Sequence, residues 1–285
     1  MKLIQFYHLL DPDKTIQVGA LIEESTLVQL NVLGNMRELI RNLSASVIDQ
    51  EEIKLQIEQA KETYELDEVK LLSPLTDPEK IICIGLNYYD HVMESKMKVP
   101  EKPVLFPKYN NCIIGNDDDV LIPEEVQQCD YEVELVVVIG RTAKQVAIEE
   151  AMDYVFGYTV LNDVSARDIQ LNEPQWTRGK TIDTFAPIGP WIVTADEIPD
   201  PHQLSISLTL NGNVMQDSNT KELIFNVPYL ISFLSNTITL QPGDIISTGT
   251  PPGVGMGKNP QVWLKNGDIT EATVEGIGTL RNRYI

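Results

Sequence analysis

Two glutamates lie two positions apart in an apolar run, and they are the first residues of this chain that could do chemistry. The run 130–140 is rich in β-branched residues and ends on a glycine, which predicts a β-strand. Because residues two apart on a strand share a face, Glu132 and Glu134 point the same way as Val136 and Val138. Neighbouring carboxylates in an apolar setting cost stability unless a cation offsets them. A divalent metal ion is the first hypothesis, and a half-exposed strand with both glutamates in water is the alternative.

A third carboxylate, Asp163, follows the predicted strand 155–161, where a loop can deliver a functional side chain. Three carboxylates without histidine or cysteine would form an oxygen-only site, which suits Mg²⁺ or Mn²⁺ and leaves positions for water and substrate. Taken alone, Asp163 is better explained as an N-cap or turn residue. Arg167 and Gln170 are three apart on a predicted helical turn, and they could bind a substrate carboxylate or simply face solvent.

His91 and Glu94 are three residues apart, shortly after the predicted strand 81–85. On a helical turn the carboxylate can reach the imidazole and orient it, and a histidine so oriented can act as a general base toward water. The alternative is an ordinary histidine–glutamate pair on a helix surface. The polar, proline-bounded segment 96–103 has the composition of a mobile lid.

Two segments that contain glycine offer further candidates. Lys180 follows Gly179 in a turn-rich segment and could stabilise a developing enolate or oxyanion, although a surface lysine is the alternative. The segment 247–257 follows a predicted strand, and its free amides together with the Thr250 hydroxyl could hold a carboxylate. It lacks the pattern of a phosphate-binding loop.

The composition is that of an ordinary soluble protein. Of 285 residues, 42 are acidic and 22 are basic, which gives a formal charge of -20. Such a surface repels nucleic acids and anionic membranes but does not exclude an anionic substrate, because local cations decide that. Three cysteines without a paired spacing predict reduced thiols. The first ten residues do not read as a signal peptide and no apolar run is long enough to span a membrane, so we expect a cytoplasmic protein.

The elements predict an α+β fold that is mostly β. Residues 1–72 are expected to form a small α+β domain, with strands at 2–8, 15–23 and 26–30 and helices at 36–41 and 51–62. In residues 73–285, short strands are separated by glycine and proline without long helices, which predicts a barrel or a layered sheet roll. Tight hairpins are expected at Asn211–Gly212 and Asn266–Gly267.

The candidate residues occur in a series of motifs whose order is specific. The motifs are G-x-N-Y-x-x-H-x-x-E, D-Y-E-x-E-L, N-D-x-S-A-R-D-x-Q, G-K-x-x-D-T-F-x-P-x-G-P and T-G-T-P-x-G-V-G. Together they resemble the fumarylacetoacetate hydrolase family over most of the chain, from about residue 80 onward. The resemblance implies a mixed β-sandwich roll, usually a homodimer, that binds Mg²⁺ or Mn²⁺ in its C-terminal domain.

The resemblance also implies roles for individual residues, since no candidate position departs from the motifs. The implied metal ligands are Glu132, Glu134 and Asp163. The implied water-activating pair is His91 with Glu94. The implied contacts to substrate oxygens are Lys180, which is also the candidate enolate stabiliser, together with Arg167, Gln170 and Thr250.

The function expected first is hydrolysis of a C–C bond in an acylpyruvate or another 2,4-diketo acid. Such an acid can chelate a metal ion, the metal and Lys180 can stabilise the enolate leaving group, and His91 with Glu94 can activate water. The alternatives on the same site are oxaloacetate decarboxylation, keto–enol isomerisation, and isomerase or lyase chemistry on a 2-hydroxy-diene-dioate. A non-catalytic binding module is the least favoured reading. The expected partner is a small oxo or diketo acid.

Overall fold

Runs of β-branched residues form strands, and strands hold more residues than helices do in the computed structural model, which describes residues 1–95 and 98–285. The strands form a twelve-stranded sheet, a five-stranded sheet and a two-stranded pair. Over the described residues the large sheet has open edges and no barrel closes, so the layered arrangement is the one found and the fold is α+β, mostly β. None of the helices described is long and apolar enough to cross a membrane.

The N-terminal elements follow their predicted positions closely. The strands are β1 (Lys2–His8), β2 (Gln17–Leu21), β3 (Thr26–Gln29), β4 (Tyr64–Glu65) and β5 (Val69–Leu71), and the helices are α1 (Met36–Ser44) and α2 (Gln50–Glu58). Asp49 caps α2, since its carboxylate accepts a hydrogen bond from the Glu52 amide at 2.7 Å. β1 pairs with a strand of the C-terminal part, with Lys2 opposite Val193. The division at residue 72 into two domains stays a prediction.

The C-terminal part contains the remaining elements. Its strands are β6 (Ile81–Gly85), β7 (Val104–Lys108), β8 (Ile113–Ile114), β9 (Asp119–Val120), β10 (Cys129–Asp130), β11 (Val133–Ile139), β12 (Val155–Asn162), β13 (Ser165–Ala166), β14 (Ala186–Thr194), β15 (Ser205–Leu210), β16 (Asn213–Asn219), β17 (Ile245–Ser247), β18 (Ile269–Val274) and β19 (Gly278–Tyr284). Its helices are α3 (Tyr89–Ser95), α4 (Arg167–Gln170), α5 (Thr177–Lys180) and α6 (Val227–Ser235).

Two hydrophobic cores lie on either side of β11, the strand that begins directly after Glu132 and contains Glu134. The large sheet has the order β4-β3-β2-β1-β14-β12-β11-β17-β6-β7, with β5 beside β1 and β8 beside β14, and the five-stranded sheet has the order β16-β15-β18-β19-β9. One face of β11, with Val133 and Val137, packs in the core that includes the five-stranded sheet. Its other face, with Val136 and Val138, packs in the core that includes α1. Both faces of β11 are therefore buried, so the alternative of a half-exposed strand does not hold.

One of the two predicted hairpins forms and the other prediction is wrong. Asn211 and Gly212 join β15 to β16 with positive φ at both residues, as a tight hairpin requires. Gly267 also has a positive φ of 91°, but its amide bonds to the carbonyl of Tyr284, and β18 pairs with β15 and β19. The Asn–Gly pair marks the turn correctly, but a hairpin also needs two consecutive strands beside it.

Candidate metal and catalytic site

Three buried carboxylates meet where two neighbouring strands end. Glu134 is the second residue of β11, Glu132 precedes that strand, and Asp163 directly follows β12. These strands are antiparallel, with Val133 opposite Asn162, and the Asp163 amide donates a hydrogen bond to the Glu132 carbonyl at 2.8 Å. One carboxylate oxygen from each candidate ligand lies within 4.8 Å of the other two. Strand pairing thus brings the sequence-predicted ligand set together.

Three buried cations surround these carboxylates. Lys180 Nζ lies 2.7 Å from Glu132 Oε2 and 2.7 Å from Asp163 Oδ2. Lys108 Nζ lies 2.7 Å from Asp163 Oδ1. Arg167 Nη2 donates to Glu132 Oε1 at 2.6 Å. Two of the three candidate ligands are therefore held in place by charged partners.

With every group ionised, the cluster would carry one uncompensated negative charge. Besides the three candidate ligands it contains Asp130, which accepts a hydrogen bond from Arg167 Nε at 2.9 Å, so four carboxylates face three cations. Glu134 is the carboxylate that forms no ion pair with any lysine or arginine in the described part of the chain. Its partners are neutral, namely the Ser247 hydroxyl and the Gly249 amide at 3.0 Å.

Burial and charge push the pKa values of the two glutamates apart. Burial, together with the charges of Asp163 and Glu132, raises the pKa of Glu134 to about 8. Burial alone would also raise the pKa of Glu132, but the charges of Arg167 and Lys180 outweigh it and hold that pKa well below its usual range. A bound cation gains the most electrostatic stabilisation beside a carboxylate that has no other cationic partner. The oxygen-only donor set fits Mg²⁺ or Mn²⁺, so a divalent ion fits these residues.

Removal of metal is expected to destabilise the protein more at pH 9 than at pH 6. In the metal-free state the pKa of Glu134 is raised above its ordinary value, so the stability it contributes is complete at low pH and is lost as the pH rises through about 8. A bound divalent ion holds the ionised carboxylate and removes this loss. The measurement is the difference in Tm between samples with Mg²⁺ and with a chelator, at both pH values.

Glu134→Gln is the matched control for this pH dependence, because the amide has nearly the same shape and does not titrate. The metal-free variant is expected to lose less stability than the wild-type protein between pH 6 and pH 9. An equal Tm difference at both pH values in the wild-type protein would contradict the assignment of Glu134 as the uncompensated carboxylate.

His91 and Glu94 lie on α3 and contact each other, with His91 Nδ1 3.4 Å from Glu94 Oε2. The Glu94 carboxylate also accepts a hydrogen bond from the Gly253 amide at 3.1 Å. Burial opposes ionisation of Glu94, but the hydrogen bonds from His91 and Gly253 outweigh it and lower its pKa. An ionised Glu94 favours the His91 tautomer protonated on Nδ1, which makes Nε2 the nitrogen that can exchange a proton with a substrate.

Seven of the nine candidate residues line one small cavity of about 100 Å³, and Glu94 and Asp163 are not part of its wall. Its polar wall contains His91, Glu132, Glu134, Arg167, Gln170, Lys180 and Thr250, and its apolar wall includes Ile84, Leu86, Phe106, Leu171, Trp176 and Met256. This volume is well below the roughly 300–1,000 Å³ typical of sites for drug-sized ligands, so the cavity suits a small acid. A larger surface cavity of about 630 Å³, lined by residues of β3 and α2, contains none of the candidate residues.

Arg167, Gln170 and Thr250, three of the four predicted substrate contacts, already have protein partners, as Lys180 does. Arg167 Nη1 donates to Gln170 Oε1 at 3.0 Å, and the other guanidinium nitrogens bind carboxylates. The Thr250 hydroxyl donates to the Val133 carbonyl at 2.9 Å and accepts from Gln216 Nε2 at 2.8 Å. All of them line the cavity or its rim, and their contact with substrate stays a prediction.

The segment 96–103, predicted to be a lid, is described only in part. Lys96 and Met97 lie outside the described residues. Farther along, Lys98 Nζ lies 3.2 Å from Glu101 Oε1 in an exposed ion pair. The lid function therefore stays a prediction.

Sequence reasoning misses two buried members of the cluster, Lys108 and Asp130. The Lys108 ammonium is fully buried, and it donates to the carbonyls of Val164 at 3.1 Å and Phe185 at 2.7 Å besides pairing with Asp163. A lysine at the end of a short strand gives no sequence signal, because most lysines are exposed. Asp130 had one signal, since it opens the motif that contains both glutamates.

Similar proteins revise the expected location of this protein. Over 292 residues the chain is 41% identical to a mitochondrial oxaloacetate tautomerase of Xenopus laevis, covering 100% of this chain and 90% of the relative. It is 47% identical over 219 residues to a mitochondrial oxaloacetate tautomerase of Rattus norvegicus, covering 76% and 70%. The cytoplasmic prediction is therefore wrong as it stands. The three cysteines are free and buried.

A solved structure and a family model agree with these relatives. The fumarylacetoacetate hydrolase from psychrophilic Exiguobacterium antarcticum has a TM-score of 0.86 and 35% identity, covering 100% of this chain and 99% of that chain. The model of the fumarylacetoacetate hydrolase C-terminal domain matches residues 80–285. Enzymes of this family generally use a divalent metal ion. The chain belongs to the fumarylacetoacetate hydrolase family of enzymes.

Proposed function

We propose that this protein is a metal-dependent enzyme that interconverts the keto and enol forms of a small 2-oxo acid, and that the acid is oxaloacetate. The observation that carries the proposal is one small cavity whose wall contains His91 and Lys180 together with Glu132 and Glu134. Relatives similar over the whole length of the chain are named oxaloacetate tautomerases, which supports the choice of substrate.

The charges of the cluster favour an acidic substrate. Four carboxylates and three cations leave one negative charge in excess, and a divalent ion would convert this into one positive charge. One carboxylate of oxaloacetate, placed against the cluster, would neutralise that positive charge, which lowers the cost of burying it. A neutral or cationic ligand would leave the positive charge uncompensated.

The residues of the chain can carry out the proton transfers of tautomerisation. Glu132, Glu134 and Asp163 would hold the metal ion. When bound, that ion supplies Lewis-acid polarisation of the 2-oxo group. His91 Nε2 takes a proton from the carbon next to the oxo group and delivers a proton to the oxo oxygen to give the enol, or transfers it in the opposite direction, while Glu94 keeps the imidazole oriented.

Lys180 stabilises the negative charge that develops on the substrate oxygen during this transfer. Burial alone would lower its pKa, but the charges of Asp163 and Glu132 outweigh burial and raise that pKa. Lys180 therefore stays a cation near neutral pH and acts as an electrostatic stabiliser, while His91 acts as the base.

Hydrolysis of acylpyruvates, the function expected first from the sequence, becomes the second candidate. The observation that favours it is the contact between His91 and Glu94 at 3.4 Å, because an oriented histidine can also activate water for attack on a carbonyl. Oxaloacetate decarboxylation, the remaining alternative, requires stabilisation of the enolate by the metal ion and Lys180 but no activated water.

The test is a panel of oxo acids assayed with Mg²⁺ and again after chelation. We expect the enzyme to accelerate loss of the ultraviolet absorbance of enol-oxaloacetate, without release of CO₂, and to lose this activity when chelated. Cleavage of acetylpyruvate to acetate and pyruvate with no effect on oxaloacetate would replace the first candidate with the second. CO₂ release from oxaloacetate would assign decarboxylation.

We also propose that the protein is a homodimer, which rests on the family alone. Multi-angle light scattering of the full chain measures the mass directly. A mass equal to one chain across the assay concentrations would contradict it.

A further inference from the structure

Asp130 is a fully buried carboxylate that does not line the substrate cavity, although it makes four hydrogen bonds. Its Oδ1 accepts from the Tyr131 amide at 2.9 Å and the Gly255 amide at 2.7 Å. Its Oδ2 accepts from Arg167 Nε at 2.9 Å and the Met256 amide at 3.1 Å. Each oxygen therefore holds one amide of the same short 3₁₀ turn that follows Val254.

This close approach depends on glycine at position 255. A Cβ atom built on Gly255 would lie 2.7 Å from Asp130 Oδ1 and 1.9 Å from the Val262 carbonyl oxygen. Any side chain here would displace the turn from the carboxylate. The turn is thus fixed against Asp130 on one side and against the chain at Val262 on the other.

The same turn reaches the histidine–glutamate pair. Two residues before Gly255, the Gly253 amide donates to both carboxylate oxygens of Glu94, at 3.2 and 3.1 Å. At the end of the turn, a Cβ atom built on Gly257 would lie 2.8 Å from Glu94 Cδ. Glu94 in turn contacts His91 Nδ1 at 3.4 Å. The Glu94 carboxylate therefore lies against the loop that Asp130 fixes.

We propose that Asp130 is a positioning residue for the pair of His91 and Glu94. It holds the turn at Gly255, the turn places the Gly253 amide against Glu94, and Glu94 orients the imidazole. The inference goes beyond the proposed function, because it applies to whichever proton transfer His91 performs. Asp130 is itself held in position by Arg167, which also donates a hydrogen bond to Glu132.

Asp130→Asn breaks this link without changing the size of the side chain. The asparagine amide group must replace one of the two oxygens, and each oxygen holds one amide of the turn. In either orientation, one backbone N–H of the turn faces an N–H donor and loses its acceptor. The variant therefore loosens the loop whichever way the side chain points.

A double-mutant cycle with Glu94→Gln tests the proposal on the acid that the wild-type enzyme turns over. We expect Asp130→Asn to lower kcat by about 10- to 100-fold, the range seen when a supporting residue is removed. Because both residues act through His91, the kcat of the double variant should be no more than about twofold below that of the less active single variant. If the reduction in kcat in the double variant equals the product of the reductions in the two single variants, the proposal is overturned.

Two measurements do not depend on turnover. The ring ¹H–¹³C signals of His91 at one fixed pH, identified by their loss in His91→Ala, should move in the same direction in Asp130→Asn as in Glu94→Gln. A His91 signal that moves only in Glu94→Gln would refute the link. Mn²⁺ affinity should stay within a few-fold of wild type, and a loss as large as that in kcat would place the effect at Glu132 instead.

Asp244→Asn is the matched control. This carboxylate is also fully buried and accepts from two backbone amides, Lys80 at 3.0 Å and Gln241 at 2.7 Å, and it pairs with Lys80 Nζ at 2.8 Å. It should cost similar stability and leave kcat and the His91 signals unchanged. If Asp130→Asn does not fold, Asp130→Glu displaces the same oxygens while keeping the charge beside Arg167, and the same cycle and signals decide the proposal.

Discussion

Replacing Glu134 with glutamine is expected to abolish Mg²⁺ binding and to lower turnover by about 10³-fold or more, equivalent to several kcal/mol of transition-state stabilisation. Glu134 is the candidate ligand whose described partners are all neutral, namely the Ser247 hydroxyl and the Gly249 amide. The other two candidate ligands keep their positions through Lys180, Lys108 and Arg167. The variant therefore removes one ligand and leaves the rest of the cluster in place.

The measurements are Mn²⁺ binding by calorimetry, kcat on the panel of oxo acids, and Tm without metal. The metal-free variant should be at least as stable as the wild-type protein at pH 9, because the uncompensated charge has gone. Glu149→Gln, on an exposed glutamate of the surface, is the control and should change none of the three. Wild-type turnover in Glu134→Gln would show that this residue does not hold a required metal ion.

The neighbourhood of the two glutamates, Glu132 and Glu134, was predictable because it rests on local periodicity. Residues two apart on a strand share a face, and this rule brought Glu132 and Glu134 together in the prediction. The predicted strand 130–140 is interrupted, because residues 131 and 132 lie between β10 and β11, but the two carboxylates still meet. The position of Asp163 does not follow from local periodicity, because it depends on the register of β11 with β12. Sequence reasoning placed it there through the order of motifs shared with a family.

Of the three buried cations, Lys108 could not be foreseen from the sequence, whereas Lys180 and Arg167 were predicted site residues. Lys108 reaches Asp163 because β7 pairs with β6 at an edge of the large sheet and the carbonyls of three other segments converge on its ammonium. That convergence is a property of tertiary packing and leaves no local pattern. The same holds for β1, which pairs with β14 from the far side of the chain.

The Asn–Gly pairs predicted the positions of turns better than they predicted which strands pair beside them. The connection at Gly276, with a positive φ of 73°, joins β18 to β19 as a true hairpin but carries no Asn–Gly pair. Asn266 and Gly267 carry that pair but join no consecutive strands. Glycine supplies the backbone conformation a tight turn needs, whereas hairpin pairing depends on what the flanking residues pack against.

His91→Ala is expected to lower turnover by about 10²–10⁴-fold, the usual contribution of a general base, while metal binding stays intact. His91 lines the cavity but contributes no ligand to the carboxylate cluster, so its loss leaves the donor set unchanged. The measurements are kcat on oxaloacetate and acetylpyruvate and Mn²⁺ affinity by calorimetry. Glu94→Gln should lower kcat less, because the base remains and only its orientation is weakened.

His202→Ala is the matched control, because His202 Nδ1 also lies 3.0 Å from a carboxylate, that of Asp200, and it does not line the cavity. It should change kcat little. Full turnover in His91→Ala would assign proton transfer to another group. A variant that keeps tautomerisation but loses cleavage of acetylpyruvate would show that His91 serves to activate water, because only hydrolysis needs water as a reactant. The pair of substrates thus separates the two roles of one imidazole.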